Sequence, residues 1–454
     1  MMLSPQKQAV ALAVAIGMAL PGTAMATNGY FSHGYGHKSK GMAGTGVAKP
    51  LDTMDAAVNP ANMVMNGNRL DAGAVLFSPQ RKYTVDGNPT GFPGTFGLLP
   101  GTYESENEAF LIPNFGWNMM IDDVSAFGIS VYGNGGMNTE YKDVSVPTPA
   151  GPFEVGTYGG GTVPGGNPVA GVDLMQLIIA PTYSRKINDK ASFGASLLLQ
   201  TTLFEATGLP AFGQFSQDPS KLTDNGSDTA FGAGIKLGIS GEVAPGFSLG
   251  ASWQSKISMG ELDDYAGLFA EQGGFDTPMT WTIGAAWDVN EQNTLLFDIQ
   301  GIDYSGVKSI SNPLLPNLQL CGGGLMQGVP ASANSNCLGG NDGSGFGWED
   351  MTIYKLGYQY NGGTWQVRAG FSTTDQPIPD TETLFNIIAP GVVEDHWTAG
   401  FSVDVGKSSG LDFSFMYAPN VKVSGANTLE APGAQNITIE MKQYEFGANY
   451  SWRY

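Results

Sequence analysis

Hydrophobic and polar residues alternate strictly at the C-terminus of the chain, in the stretch YEFGANYSWRY of residues 444–454. Every even position carries an aromatic residue or alanine, and every odd position carries a polar or small residue. A period of two predicts a β-strand with one apolar face. About ten residues of this pattern, ending in aromatic side chains, are typical of a tilted strand that crosses a lipid bilayer.

The same alternation recurs along most of the chain, in fourteen runs. A soluble β-sandwich also alternates, but here one face of each run is rich in aromatic residues and the other is small or polar. This contrast favours a barrel in lipid. The runs lie near residues 68–85, 108–121, 124–134, 172–186, 190–204, 227–241, 246–258, 278–289, 293–303, 348–360, 364–374, 392–405, 410–417 and 440–454.

The connections between the runs alternate between short turns, such as KINDKA and YNGGT, and long loops. Short turns on one side, long loops on the other and an even number of strands are typical of bacterial outer-membrane barrels. We therefore expect an all-β protein, a 14-stranded antiparallel transmembrane β-barrel over residues 67–454, with both termini on the periplasmic side. The long loops are 86–107, 135–171, 205–226, 259–277, 304–347, 375–391 and 418–439.

The N-terminus has the features of a secretory signal peptide. Lys7 precedes the twelve-residue apolar run AVALAVAIGMAL, and Ala24 and Ala26 give a small-x-small cleavage pattern. A membrane-spanning helix needs about 20 apolar residues, so this run is too short to span. We expect residues 1–26 to be removed and the mature chain to begin near Thr27.

Residues 27–66 lack the period of two. Within them LDTMDAAVNPANM predicts a short helix, with Asp52 as its N-cap and Asn59-Pro60 as its stop. A barrel of this size would otherwise enclose an aqueous pore, so we expect residues 27–66 to form a plug, or hatch, in the lumen. A flexible periplasmic tail is the alternative.

Composition and charge narrow the class of partner. The chain has 65 glycines, few charged residues (14%) and a net charge of −20, which argues against nucleic acid. Cys321 and Cys337 both lie in one loop, and in an oxidising envelope such a pair closes a disulfide worth about 3 kcal/mol. A redox or metal pair is the alternative, but CxxC spacing and a nearby histidine are missing. We expect a monomer without a cofactor.

Catalytic and metal chemistry finds little support in the sequence. His33 and His37 are spaced i, i+4, but the intervening glycines oppose a helix and no third metal ligand follows. His396 is expected to face the lumen, where a Ser/His hydrolase is conceivable, yet no serine and aspartate pattern accompanies it. Gly406-Lys407-Ser408 lacks the spacing of a phosphate loop. We predict no metal site, no catalytic residue and no enzyme.

Several stretches resemble the FadL/TodX family of outer-membrane transporters for hydrophobic compounds. They are TNGYFSHGYGHKSKGMAGTGVA with DAAVNPANM, which contains Asn59, Pro60 and Ala61 and resembles the family's plug; VYGNGGMNTEY; and DYAGLFAEQGGFDTPMTW. Loop 304–347 departs from the family. The resemblance implies passive uptake of long-chain fatty acids or similar hydrophobic molecules across the outer membrane, among its lipid and lipopolysaccharide. Aromatic or alkane hydrocarbons are the alternative substrates. A lipid hydrolase or a surface adhesin is the alternative from another class.

The resemblance also implies a route: capture by extracellular loops, passage to a lumen pocket and lateral release through a kink in the third strand. The kink maps to Gly133, Gly135 and Gly136, although these glycines also fit an ordinary strand end. The capture groove maps to two loops, which alternatively pack against each other as a lid. Its residues are Leu209, Phe212 and Phe215, and then Leu262, Tyr265, Leu268, Phe269 and Phe275, of which residues 262–269 have the spacing of one helix face.

A fatty-acid carboxylate would be bound best by a cation in the lumen. Lys236, Lys355 and Arg368 lie on the small or polar face of their strands and are the candidates. The alternative is that these cations pair with lumen acids, for which Asp288, Asp298 and Asp412 are placed.

Overall fold

The computed structural model describes residues 28–454, so the predicted signal peptide lies outside the described residues. Fourteen strands pair antiparallel in chain order, and the last pairs with the first from Arg69↔Arg453 to Asp86↔Asn436, which closes a barrel. The predicted fold class is confirmed. The strands are β1 (Arg69–Asp86), β2 (Phe110–Asp122), β3 (Ser125–Tyr141), β4 (Ala170–Asn188), β5 (Ala191–Thr207), β6 (Asp228–Ala244), β7 (Phe247–Gln254), β8 (Thr280–Asp288), β9 (Asn293–Ile302), β10 (Met351–Asn361), β11 (Trp365–Thr373), β12 (His396–Asp404), β13 (Ser409–Ala426) and β14 (Asn436–Arg453).

Two strands extend well beyond the predicted runs, into segments predicted to be loops. β3 reaches Tyr141 and β13 reaches Ala426, and each contains a register shift at the point where the sequence pattern breaks. In β13 the shift lies between Ala418 and Val421, beside Pro419, which has no N–H to donate. An extra residue moves the following side chains to the opposite face, so a strict period of two stops there although the strand continues.

Outward-facing side chains are large and apolar, whereas many inward positions are glycine. Phe446, Ile283 and Leu249 are about half exposed on the outer surface. On the inner surface, a Cβ added at Gly250 would lie 2.2 Å from Val47 O, and one at Gly194 would lie 2.4 Å from Pro60 O. The missing side chains let another segment lie directly against the wall.

That segment is residues 28–66, which we call the lumen segment; it lies within the barrel and most of its residues are buried. It contains two single-turn helices, α1 (His37–Lys40) and α2 (Asp55–Val58), and a 3-10 helix, Pro60–Met65. The predicted short helix ends at Asn59-Pro60 as expected, but it begins only at Asp55, and Asp52 is not its N-cap. Asp52 Oδ1 instead accepts from Met54 N at 2.9 Å in a local turn. Asn59 ends α2 in an extended conformation, and its side chain then caps the 3-10 helix by accepting from Ala61 N.

The long loops carry the remaining elements and pack together over one end of the barrel. In the described part of the chain, no helix is long and apolar enough to cross a membrane. Cys321 and Cys337 are joined by a disulfide. The loop helices are α3 (Ala270–Gly273), α4 (Lys308–Ser311) and α5 (Asn317–Met326); the 3-10 turns are Gly160–Thr162, Pro210–Phe215, Pro219–Lys221, Asp263–Tyr265, Tyr304–Gly306, Ala331–Ala333, Asp380–Glu382 and Phe385–Ile387; the short strands are Gly101–Glu104, Ser145–Thr148, Gly151–Glu154 and Ser258–Met259.

Candidate functional site

Strands β2 and β3 are hydrogen-bonded only along their periplasmic halves. Their pairing runs from Asp122↔Ser125 to Phe115↔Val131 and stops there. Beyond that point residues 110–114 of β2 stay paired with β1, and residues 132–141 of β3 stay paired with β4. We call the gap between residues 110–114 and 132–139 the wall opening. Above it the chain closes again, because Glu106 N donates to Glu140 O at 2.9 Å.

The local sequence explains why the two edges separate. In β3 the register with β4 shifts between Gly133 and Gly135, so Asn134 is the extra residue of a bulge and the strand bends there. In β2, Pro113 lies on the facing edge, where it has no N–H for a partner strand. Both edges therefore carry a residue that is incompatible with continuous pairing.

The lumen segment covers the wall opening from inside. Ser32 N donates to Asn134 O at 3.0 Å, and Gly136 N donates to Tyr30 O at 3.0 Å. A Cβ on Gly135 would lie 2.0 Å from Tyr30 O, so this close approach requires glycine. The Tyr35 hydroxyl also donates to Asn134 Oδ1, at 3.0 Å. A cavity of about 20 Å³ remains between the lumen segment and the two edges, lined in part by Tyr35, Pro113 and Tyr132.

The eight residues predicted to line a capture groove come together in one aromatic cluster, in which the two loops pack directly against each other. All are buried except Phe215, which is half-buried. The rings of Phe269 and Phe275 lie 4.8 Å apart, and Ser216 Oγ donates to Gly267 O at 2.7 Å across the two loops.

The predicted single helix face over residues 262–269 is wrong. The backbone forms one 3-10 turn, Asp263–Tyr265, and Leu262 N bonds back to Gly273 O at 2.9 Å. The segment is therefore a compact closed loop. Its apolar residues converge because the chain folds back on itself, and not because they share a helix face.

The aromatic cluster continues down to the start of the lumen segment. The ring of Tyr30 lies 6.2 Å from that of Phe275, 5.6 Å from that of Tyr304 and 6.1 Å from that of Trp348. The Tyr304 hydroxyl donates to Asn28 O at 2.7 Å. Apolar contacts thus run without interruption from the extracellular loops to the residues that cover the wall opening.

The three lumen cations predicted for a ligand carboxylate contact the protein itself. Lys355 Nζ donates to His33 O at 3.0 Å, and Lys236 Nζ donates to Ala57 O. Arg368 donates to Ser402 Oγ at 2.6 Å. All three are buried, and the first two hold the backbone of the lumen segment.

The predicted acids are also engaged, mostly with other partners. Asp298 Oδ2 accepts from Gly46 N and Val47 N, and Asp288 pairs with Lys49 rather than with a predicted cation. Asp412 accepts from Ser402 Oγ, so it contacts Arg368 only through that hydroxyl. Direct pairing of the three cations with these acids is therefore not what the structure shows.

A model of the family described as outer membrane protein transport protein (OMPP1/FadL/TodX) matches residues 18–454. The chain belongs to the FadL/TodX family. The predicted membership is confirmed, and with it the location in the bacterial outer membrane. The family consists of transporters and channels.

Solved structures of family proteins share the fold at low sequence identity. The P. putida toluene transporter TodX has a TM-score of 0.64 and 18% identity over 93% of this chain and 99% of that chain. A Pseudomonas aeruginosa FadL homologue has a TM-score of 0.64 and 15% identity over 94% and 99%. The Ralstonia pickettii toluene transporter TbuX has a TM-score of 0.60 and 17% identity over 93% and 99%. No curated protein sequence matches the chain.

The histidines of this family member are all buried in the lumen. The ring of His33 stacks on that of His396 at 5.7 Å, and burial lowers the pKa of His33 well below its ordinary value. His37 lies in α1 and contacts Asn114 Oδ1 at 3.0 Å, and burial lowers its pKa to about 4. His396 Nδ1 lies 3.2 Å from Ser372 Oγ. This Ser–His pair is fully buried, beneath His33.

Four residues of this region were not predicted from the sequence: Pro113, Asn134, Tyr304 and Trp348. Pro113 lies inside a predicted strand run, and a proline in a strand is a signal for an unpaired edge. The extra residue Asn134 lies among three glycines, which hide the change of register. Tyr304 and Trp348 bound a loop that departs from the family, and no local pattern connects them with Tyr30.

Proposed function

We propose that the protein imports long-chain fatty acids or similar hydrophobic molecules by diffusion, with lateral release into the outer membrane. The extracellular aromatic cluster captures the molecule, the region around Tyr30 receives it, and the wall opening releases it. The observation that carries this proposal is the pair of unbonded strand edges covered only by the lumen segment.

Lateral release fits the physical chemistry of an apolar cargo. Each methylene kept out of water contributes about 0.8 kcal/mol of favourable free energy. Release straight into the aqueous periplasm exposes the whole alkyl chain to water and loses this contribution at every methylene. A route through the wall leads from one apolar environment to another. Three hydrogen bonds join the cover to the edge of β3, through Ser32 N, Gly136 N and the Tyr35 hydroxyl. Tyr304, Lys355 and Lys40 hold it from the lumen side. Displacement of residues 30–35 uncovers the opening without unfolding the barrel.

In this proposal the lumen segment acts as a plug, with Asn59, Pro60 and Ala61 holding it to the wall. Asn59 Nδ2 donates to Val47 O and to Ile239 O of β6, at 2.6 and 3.0 Å. The protein works as a monomer among outer-membrane lipid and lipopolysaccharide. Net flux follows the concentration gradient, since the proposal includes no energy source.

Neutral hydrocarbons are the second candidate cargo. None of the eight residues of the capture region is charged, and the single polar group among them, the Tyr265 hydroxyl, is engaged with Gly226 O at 2.6 Å. A neutral aromatic or alkane molecule carries no charge that needs a partner, so it binds in such surroundings without loss of affinity. Two of the similar structures carry the description toluene transporter.

The test is uptake of labelled oleate, toluene and hexadecane by a deletion strain with and without this protein. We expect protein-dependent uptake of at least one of them. A variant that lacks Asn134 and carries Pro113→Val has the obstacle to pairing removed from both edges of the opening; it should fold and lose uptake. Removal of Val243, the extra residue at the register shift between β6 and β7, is the matched control away from the opening and should leave uptake unchanged.

The outcomes separate the candidate functions. Uptake of oleate but not of toluene or hexadecane supports fatty acids, and the reverse supports hydrocarbons. An adhesin predicts that uptake of all three is the same with and without the protein, which would make the transport proposal wrong. Equal uptake by the two deletion variants would contradict lateral release while leaving transport itself in place.

A further inference from the structure

Arg81 of β1 lies at the extracellular end of the wall opening, with its side chain turned to the inside of the barrel. It is 4% exposed and shares the inward face of β1 with Phe77 and Tyr83. Its guanidinium lies over the ring of Phe110, 5.8 Å from the centroid. A permanently charged group is thus placed in the apolar cluster that leads to the opening.

The guanidinium joins the two sides of the opening. Nη2 donates to Asn107 O, just before β2, and Nη1 donates to Asn138 O of β3. The backbones of β2 and β3 do not pair at this height, so Arg81 supplies a link that the missing backbone hydrogen bonds do not.

Both partners of Arg81 are neutral carbonyls, which is unusual for a buried cation. Among residues 28–454 Arg81 takes part in no ion pair, and its Nε has no hydrogen-bond partner. The nearby acids Glu106 and Glu140 both pair with Lys142. Glu108 and Asp173 act on Arg81 only from a greater distance. The fork of the guanidinium therefore keeps the capacity to bind a carboxylate.

We propose that Arg81 is a specificity-determining residue that binds the carboxylate of a fatty-acid ligand at the wall opening and, in doing so, releases the link between its two edges. This rests on the proposed transport function and deepens it. A guanidinium binds a carboxylate through two parallel hydrogen bonds between opposite charges, which adds a Coulombic attraction that a neutral carbonyl does not supply. The ligand therefore displaces Asn107 O and Asn138 O, and its alkyl chain lies along the apolar edges below.

The position of Arg81 suits a ligand that leaves sideways into the outer leaflet. A polar cleft of about 360 Å³ borders Arg81 and is otherwise lined by charged residues that include Lys82, Lys422 and Lys442 and the acids Glu104, Glu108 and Glu440. Lys82 and Lys422 both pair with Glu440. A carboxylate that leaves Arg81 therefore has charged groups close by while its chain enters the bilayer. A neutral hydrocarbon gains nothing from Arg81.

The test compares two ligands that differ only in the headgroup, oleic acid and oleyl alcohol, by equilibrium binding to the purified full-length protein in detergent at neutral pH. The affinity of wild type for the acid should be about ten times its affinity for the alcohol, or higher. This is the gain in affinity that hydrogen bonds to a charged group supply. Arg81→Met should bring the ratio close to one while leaving the affinity for the alcohol unchanged. Arg185→Met, an arginine of β4 beside Ser125 at the other end of the barrel, is the control and should keep the wild-type ratio.

Heat-modifiable migration on a denaturing gel checks that each barrel is folded. If Arg81→Met fails to fold, Arg81→Lys takes its place in the test. Lysine keeps the charge but not the planar fork, and we expect the ratio of acid to alcohol affinity to fall about threefold or more below that of wild type. A wild-type ratio in either folded Arg81 variant overturns the assignment of Arg81 and leaves the transport function standing. If wild type binds neither ligand, fatty acids are not the cargo and this inference fails with them, while uptake of toluene and hexadecane decides the transport proposal.

Discussion

Replacing Lys40 with methionine is expected to release the first part of the lumen segment from the barrel wall. Lys40 Nζ lies 3.0 and 2.8 Å from the two carboxylate oxygens of Glu445 on β14, and 3.1 Å from Ser32 Oγ. Lys40 is 6% exposed and Glu445 is 2% exposed. Methionine keeps most of the side-chain length and removes the charge, so the substitution leaves the carboxylate of Glu445 buried without its cation.

Loss of one partner of a buried ion pair costs about 3–5 kcal/mol, because the remaining charge is neither hydrated nor paired. In this protein the cost falls mainly on the closed position of the lumen segment, since opening lets water reach Glu445. A cost of about 3 kcal/mol raises the equilibrium constant for opening roughly 150-fold. The double variant Lys40→Met/Glu445→Gln has no uncompensated charge. We expect its equilibrium constant for opening to return most of the way to the wild-type value.

The assay is amide hydrogen exchange of the detergent-solubilised protein, followed by mass spectrometry of peptides from residues 28–48. Exchange through local opening reports the equilibrium constant directly, and peptides from strands β13 and β14 serve as the internal reference. An exchange rate for Lys40→Met within about threefold of wild type would refute the reasoning. So would a double variant that exchanges as fast as the single one, because the lost charge balance would then not be the cause.

Two further predictions concern the same segment. Burial lowers the pKa of His37 from 6.5 to about 4, so the stability that neutral His37 contributes is complete above pH 6.5 and falls by about 1.4 kcal/mol per pH unit between 6.5 and 4. The urea midpoint of wild type should therefore drop faster than that of His37→Gln between pH 6.5 and 4.5; parallel curves would contradict this. A Cβ at Gly238 would lie 1.9 Å from Asn59 Oδ1, so Gly238→Val should displace residues 59–65 at a cost of about 1–3 kcal/mol. Protease cleavage within 59–65 should increase in Gly238→Val and not in the lipid-facing control Gly241→Ala.

The strands of the barrel were predictable because lipid imposes one simple requirement along the whole chain. Every outward side chain must be apolar and every inward one must fit the lumen, so the strand pattern is local and repeats. The ends of β3 and β13 were not predictable in the same way. Register shifts at Asn134 and beside Pro419 change which residues face outward, and the pattern loses its period there although backbone pairing continues.

The site was predictable in its residue types and not in its arrangement. The predicted groove residues do come together, but as a closed aromatic cluster, because buried rings are stabilised by contact with each other rather than by exposure along a groove. Lys236 and Lys355 face the lumen as predicted, yet they hold the carbonyl groups of Ala57 and His33. A side chain's direction follows from its strand position, whereas its partner depends on the segment folded against it.

The sequence by itself determined the class of the protein, since period two, turn spacing and aromatic placement depend only on neighbouring residues and on the lipid outside. The family resemblance placed a kink at Gly133, Gly135 and Gly136, but only the tertiary structure decided that β2 separates from β3 there and what covers the gap. The separation of β2 from β3 involves Pro113 and Asn134, and its cover involves Tyr30 and Ser32. These residues are far apart in the chain, and the local signals at Pro113 and Asn134 do not show which edges face each other or which segment covers them. Arg81 gains its role in the same way, from two carbonyl groups that only the folded barrel brings within its reach.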